Sequence, residues 1–251
     1  MHNIQTGSHS KYILWDNDIE HCTLIGSCNW FFSEYNRYEA SALIKDNSFT
    51  REMIEISASL STGAKLTSNY LSRELLVLAS SIRHSKELLE NVDRIAEVCL
   101  LHKGHHLNYI QNAKQAKMRV TLLSDKISPN LHRSIWDTLS TCSVKISAFY
   151  SSVDKDIFNH NQANQFSKKL AKESENIILK LHSPPSGNKN HSKVLAWDKN
   201  HIVISSLNWM SSDASGAYKN NDIYHELGVY ISKDKIEQEF HNHFFNNLSH
   251  D

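Results

Sequence analysis

The sequence predicts an α/β protein, a sandwich of two pseudo-symmetric lobes with the first lobe truncated at its N-terminus. Three observations lead there. Residues 9–16, HSKYILWD, recur as residues 191–198, HSKVLAWD, with His, Ser, Lys, Trp and Asp in register. Each copy continues in the same order: GSCNW at 26–30 against SSLNW at 205–209, then RYEASALIKDNSFTREMIEI at 37–56 against YHELGVYISKDKIEQEF at 224–240. A shared order of strand, strand, loop, strand and helix marks an internal repeat rather than a chance motif. Ahead of the second copy, strand-like and helix-like segments alternate, as they do where helices pack on a sheet.

Taken in order, residues 1–60 form the C-terminal part of the first lobe, 61–90 a helical connector and 91–251 the second lobe. Only eight residues precede His9, so a further chain segment or a partner protein is expected to complete lobe one. Each His-x-Lys opens a strand, and the Ser and Asn that follow lie on the next strand. Residues 51–60 and 68–88 read as helix. A strand is expected near 95–101. A helix follows over 105–116, with Leu107, Ile110 and Ala113 on one face. The aliphatic strand at 119–123 stops at Ser124-Asp125. Then come a helix at 131–139, a strand at 144–149, a polar amphipathic helix at 156–175 and a strand at 177–181. The segment SPPSGNKN, 183–190, is a turn-rich loop in which Pro184 and Pro185 halt regular structure.

Composition sets the limits. The chain has 251 residues and 28.8 kDa, enough for a sizeable core. Its 27 basic and 27 acidic residues cancel, so net charge supplies no argument for nucleic acid. No apolar run is long enough to span a bilayer and no secretory leader is visible, so the cytoplasm is the expected location. The four cysteines form no CxxC pair and read as buried thiols. HKGHH at 102–106 has metal-like spacing, but no carboxylate or cysteine completes a ligand set. No metal and no cofactor are expected. Trp15, Trp30, Trp197 and Trp209 read as packing residues rather than base-stacking platforms, and residues 159–164 as a solvated helix start.

The repeat carries the chemistry. In a strand, residues two apart share a face, so His9 and Lys11 point together, as do His191 and Lys193. Ser27 with Asn29, and Ser206 with Asn208, add a hydroxyl and a carboxamide to each copy. Lysine and asparagine donate to phosphate oxygens, and an imidazole can attack or move protons. Two imidazoles on either side of one phosphorus would suffice for attack and protonation of the leaving oxygen. The lysines and amides would neutralise the developing charge.

His9-x-Lys11-x4-Asp16 followed by Gly26-Ser27-x-Asn29, and His191-x-Lys193-x4-Asp198 followed by Ser205-Ser206-x-Asn208, resemble the doubled HKD motif of the phospholipase D superfamily, in its nuclease-like branch. The resemblance implies a metal-independent phosphodiesterase in which one histidine forms a covalent phosphohistidine and the other acts as general acid and base. It implies catalytic roles for His9, Lys11, Asn29, His191, Lys193 and Asn208. Glu39 and Glu226 stand where family members carry the acid that orients the imidazole of each motif. Asp16, Ser27, Asp198 and Ser206 support the motifs, the two aspartates by capping turns. His9 is assigned as nucleophile and His191 as acid/base, on a repeat that is nearly symmetric.

Two departures stand out. Nine residues separate Asp16 from Gly26 but six separate Asp198 from Ser205, and Ser205 replaces the usual glycine. Nucleic acid is the expected substrate, with lysines and arginines at 114–119 and 168–172 available to phosphates. The alternatives are a phospholipase D or phosphatidyltransferase acting on lipid phosphodiesters, and an inactive phosphate-binding fragment. A lipid enzyme would want exposed apolar loops, whereas residues 211–219 are small and polar.

Overall fold

The computed structural model describes residues 8–16, 20–30, 37–63, 67–82, 96–102, 104–128, 133–153, 159–182, 189–211 and 226–246. In lobe one, β1 (Tyr12–Asp16), β2 (His21–Gly26) and β3 (Ser41–Lys45) form an antiparallel sheet in that order. Helix α1 (Asn47–Ser61) begins where the Asp46 carboxylate accepts from Phe49 N at 2.8 Å, satisfying an amide that the first helical turn cannot pair. Helix α2 (Tyr70–Ser81) starts with a reciprocal Asn69–Ser72 capping box and packs on α1 through Ile54, Ala79 and Ile82.

Lobe two is built on seven strands. They are β4 (Glu97–Leu101), β5 (Arg119–Ile127), β6 (Lys145–Val153), β7 (Ile177–Leu181), β8 (Val194–Trp197), β9 (His201–Ser205) and β10 (Gly228–Ser232), in the order β4-β10-β9-β8-β5-β6-β7. Strands β5, β6 and β7 run parallel, and the remaining pairs are antiparallel. The parallel strands are joined through α4 (Arg133–Leu139) and α5 (His160–Glu173), as parallel neighbours require. Helix α3 (His105–Lys114) follows β4, and α6 (Ile236–Asn246) follows β10.

Strand alternation sorts this sheet's side chains into two apolar layers. Leu122, Leu195, Trp197, Val203 and Tyr230 join Ile110, Ile135, Trp136 and Leu170 from the helices on one face. Leu123, Val194, Ala196, Ile204 and Val229 join Ile25, Ala42, Phe49 and Met53 of lobe one, with Phe244 of α6, on the other. The second layer is therefore a single core shared by both lobes, and it fixes how the two motif copies face each other.

Several sequence expectations shift. His9 and Lys11 lie in extended chain just before β1, and His191 and Lys193 just before β8, rather than on the strands. Ser27 and Asn29 follow β2, and Ser206 and Asn208 follow β9, for the same reason: the motifs occupy the strand ends, where the backbone leaves the ladder. Strand β5 does not stop at Ser124-Asp125. It continues to Ile127 because Ser124 Oγ is buried and bonded to Lys126 O at 2.9 Å, while pairing with β6 resumes at Lys126↔Ser152. Cys22, Cys28 and Cys142 are buried, but Cys99 is exposed on the edge strand β4. Parts of the first hairpin turn (17–19), the connector (83–90) and the proline loop (183–188) lie outside the described residues.

Candidate active site

Each lobe builds half a site by the same local rule. In each copy the motif lysine immediately precedes its strand, and its backbone oxygen accepts from the residue before the motif serine: Gly26 N to Lys11 O at 3.1 Å, Ser205 N to Lys193 O at 3.0 Å. The next residue, Ser27 or Ser206, exchanges backbone and hydroxyl bonds with the residue after the glutamate. Ala40 N donates to Ser27 Oγ and Leu227 N to Ser206 Oγ, both at 3.0 Å. Each hydroxyl in turn donates to its own lobe's carboxylate, Ser27 to Glu39 at 2.5 Å and Ser206 to Glu226. The motif serine thus positions a glutamate and does not face the substrate side alone.

The glutamates then cross over. Glu39 of lobe one meets His191 Nδ1 of lobe two at 2.7 Å, and Glu226 of lobe two meets His9 Nδ1 at 3.2 Å. The backbone makes the first crossing possible. Tyr38 N donates to Lys189 O at 3.0 Å, and His191 N donates to Tyr38 O at 2.8 Å, so residues 38 and 190 form a parallel bridge between lobes. The sequence expectation of one acid for each motif holds in number, but the acid comes from the opposite copy. Each ring therefore engages a carboxylate of the opposite copy through Nδ1.

Two ammonium groups sit among these carboxylates. Lys193 Nζ donates to His191 O at 2.7 Å and Lys11 Nζ to His9 O at 2.5 Å. Lys193 is 0% exposed. Burial lowers it to about 8, against the opposing pull of Asp125 and Glu39. Burial also lowers Lys11, against Glu226 and Glu39. For Glu39, burial pushes upward, but the hydrogen bonds from His191 and Ser27 and the neighbouring charges outweigh it, and the net direction is down. Glu226 follows the same balance, with His9, Ser206 and Lys11 outweighing burial. The two lysines interact with both carboxylates, so the two motif copies contribute to one charged cluster.

The other expected residues have contacts and places of their own. Asn208 has a buried side-chain oxygen with no hydrogen-bond partner among the described residues, and Asn29 is half-buried. Asp16 lies exposed at the end of β1. Asp198 has a left-handed backbone, φ 56°, and accepts from Lys117 N and Met118 N at 2.8 Å each, which is a turn-capping role. Arg119, offered to phosphates by the sequence, is instead held bidentately by the fully buried Glu237 at 2.8 and 3.0 Å. Trp197 and Trp209 are core residues, whereas Trp15 is exposed.

Ser205 in place of glycine has a local explanation. In lobe one, Gly26 pairs with Ser41 across the ladder; in lobe two, Ser205 pairs with Gly228. The small and the hydroxyl residue have exchanged strands. A Cβ on Gly26 would stand 2.3 Å from Ala40 O, while Ser205 Oγ bonds His106 Nε2 at 2.7 Å. That contact also accounts for one histidine of the HKGHH run. Burial lowers His106 to about 4, so it is a neutral core residue. No group of three or more metal-ligating side chains occurs among the described residues. The residue that sequence reading missed is Asp125, whose carboxylate lies 3.8 Å from His191 Nε2; its polarity was visible, but it read as a strand terminator.

No family model and no curated protein matches the sequence. Solved structures do match. Phosphatidylserine synthase of Haemophilus influenzae Rd KW20 is similar at a TM-score of 0.57 and 16% identity, over 98% of this chain and 63% of the synthase. The fold is phospholipase D-like. Polyphosphate kinase from Porphyromonas gingivalis is similar at a TM-score of 0.55 and 12% identity, over 94% of this chain and 32% of the kinase. Nuc from Salmonella typhimurium, a phospholipase D family member, aligns at 0.43 and 16%, over 61% of this chain and 93% of that one. The chain spans less than two thirds of the synthase and about a third of the kinase. At these identities the likeness is one of fold.

Proposed function

We propose that this protein hydrolyses phosphodiesters without a metal, through a covalent phosphohistidine, and that its substrate is nucleic acid. The observation that carries the reading is the crossed pair of contacts, His9–Glu226 and His191–Glu39, around two buried lysines. In the first step His9 Nε2 forms a bond to phosphorus as the P–O bond to the leaving group breaks. The departing oxygen takes the Nε2 proton of His191. In the second step water attacks phosphorus and gives a proton to His191. The N–P bond breaks and its electrons return to His9. Lys11 and Lys193 neutralise charge on the phosphoryl oxygens, and their preorganisation in a water-poor site makes that contribution large. The polar sequence after the second motif, residues 211–219, supports nucleic acid over lipid.

A lipid phosphodiester is the second reading, favoured by the large apolar side chains that α2 exposes, Tyr70, Leu76, Val77 and Leu78. The test is cleavage of labelled single-stranded DNA, duplex DNA and RNA in EDTA, beside anionic phospholipid vesicles and the His191→Ala variant. Cleavage of a nucleic acid that survives EDTA and is lost in His191→Ala is the expected result. Release of lipid headgroup alone would select the second reading. Phosphate binding with no cleavage of any substrate would refute both.

A further inference from the structure

The two motif copies are so alike that something outside them must decide which histidine attacks. Asp125 is outside both. It lies on β5, and its Oδ2 stands 3.8 Å from His191 Nε2, the nitrogen that remains after Glu39 has taken Nδ1 at 2.7 Å. Ser152, on neighbouring β6, donates to Asp125 Oδ1 at 3.2 Å and to its backbone oxygen at 3.1 Å. That bond turns the second carboxylate oxygen toward the ring. The side chains of His191 and Asp125 are only 10% and 17% exposed, so solvent screens the contact weakly.

At 3.8 Å the contact is too long for a hydrogen bond; it acts through charge. A lone pair on Nε2 would face an anion, whereas an N–H would turn its positive end to one. Lys193 lies within the field of both carboxylates and donates to His191 O. His191 therefore has a carboxylate facing each ring nitrogen, Glu39 in hydrogen-bond contact with Nδ1 and Asp125 at longer range from Nε2. His9, whose side chain is 33% exposed against 10% for His191, is the more open of the two to an incoming phosphate.

We propose that Asp125 is a positioning residue that keeps the proton on His191 Nε2, making His191 the general acid and leaving nucleophilic attack to His9. This rests on the phosphodiesterase reading for its catalytic consequence, but the placement of the proton can be tested without turnover. Long-range proton–nitrogen NMR on the full chain, with histidine ring nitrogens labelled and His191→Ala used for assignment, reads it at neutral pH. The expected spectrum has a proton on His191 Nε2, and Asp125→Asn loses it. A lone pair on Nε2 in the unaltered protein, or a spectrum that Asp125→Asn leaves unchanged, overturns the proposal.

Two thymidine 5′-phosphodiesters test the consequence, one with a nitrophenyl and one with a methyl leaving group. Nitrophenolate departs with little protonation; methoxide needs the proton. Asp125→Asn is expected to slow the methyl ester by about tenfold or more beyond its effect on the nitrophenyl ester, with nucleotide trapped on the His9 peptide by a rapid alkaline denaturing quench, which spares the acid-labile N–P bond. Equal losses on both esters, or label on His191, would overturn it. Should the unaltered protein cleave neither ester, the phosphodiesterase reading falls, and the NMR result alone upholds or overturns the role of Asp125 in placing the proton.

Discussion

Replacing Lys193 by methionine should make the protein more stable and less active at once. The ammonium is fully buried, and burial takes its pKa from the ordinary 10.5 to about 8. At ~1.4 kcal/mol per pH unit, that difference corresponds to about 3 kcal/mol of destabilisation from holding the charge in the folded protein. The cost is present in full below pH 8. Between about 8 and 10.5 the folded lysine has lost its proton while the unfolded one keeps it, so stability from this group rises with pH across that window. Methionine removes the charge but leaves His191 O without its 2.7 Å donor, a loss of about 1 kcal/mol. The net expectation is a gain of about 2 kcal/mol at pH 7 that disappears as the pH approaches 10.5. Urea unfolding of both proteins at pH 7 and pH 10 measures it. Turnover should fall by about a hundredfold or more, because on the proposed mechanism a charge that neutralises the phosphoryl oxygens is gone. A variant less stable than the parent at pH 7, or a stability difference that does not change with pH, would refute the reasoning.

Three further expectations follow from the same geometry. Glu39→Gln should impair the step that depends on His191, and Glu226→Gln the step that depends on His9. Burst kinetics with a nitrophenyl ester should therefore show a slowed steady state for Glu39→Gln and a lost burst for Glu226→Gln. Asp198→Ala removes the carboxylate that accepts from two backbone amides and leaves a left-handed alanine, at a cost of about 2 kcal/mol in chemical denaturation. His106, held by burial at about 4, stays neutral in the fold while the unfolded chain takes up a proton below about 6.5. Stability is then fully present above pH 6.5 and falls by about 3 kcal/mol toward pH 4, a trend that thermal unfolding at stepped pH would record.

Much of this architecture could be read before the coordinates. The repeat announced two lobes because the same residue types recur in the same order, and strand and helix periods located most elements of lobe two to within a few residues. The crossing of Glu39 to His191 and Glu226 to His9 was not legible, because two near-identical copies carry no mark of which acid meets which ring. It depends on the backbone bridge between residues 38 and 190, a contact between segments far apart in sequence. Asp125 was hidden for a different reason. A polar Ser-Asp pair at the end of an aliphatic run normally signals a turn, and only the burial of Ser124 and the continued pairing with β6 keep the strand going. Ser205 looked like a simple departure from glycine until its cross-strand partner, Gly228, showed that the two lobes had exchanged the same pair of residue sizes.

The crossed glutamates also set a timetable. His9 leaves the ribosome well before Glu226, which engages its ring and lies 217 residues later in the chain. At about 5–20 residues per second, the imidazole waits roughly ten to forty seconds for its carboxylate. Through that interval the nascent chain carries a motif without an assembled centre. The crossed centre becomes complete only when lobe two has been made and has docked, so the order of synthesis itself delays its assembly until both motif copies are present.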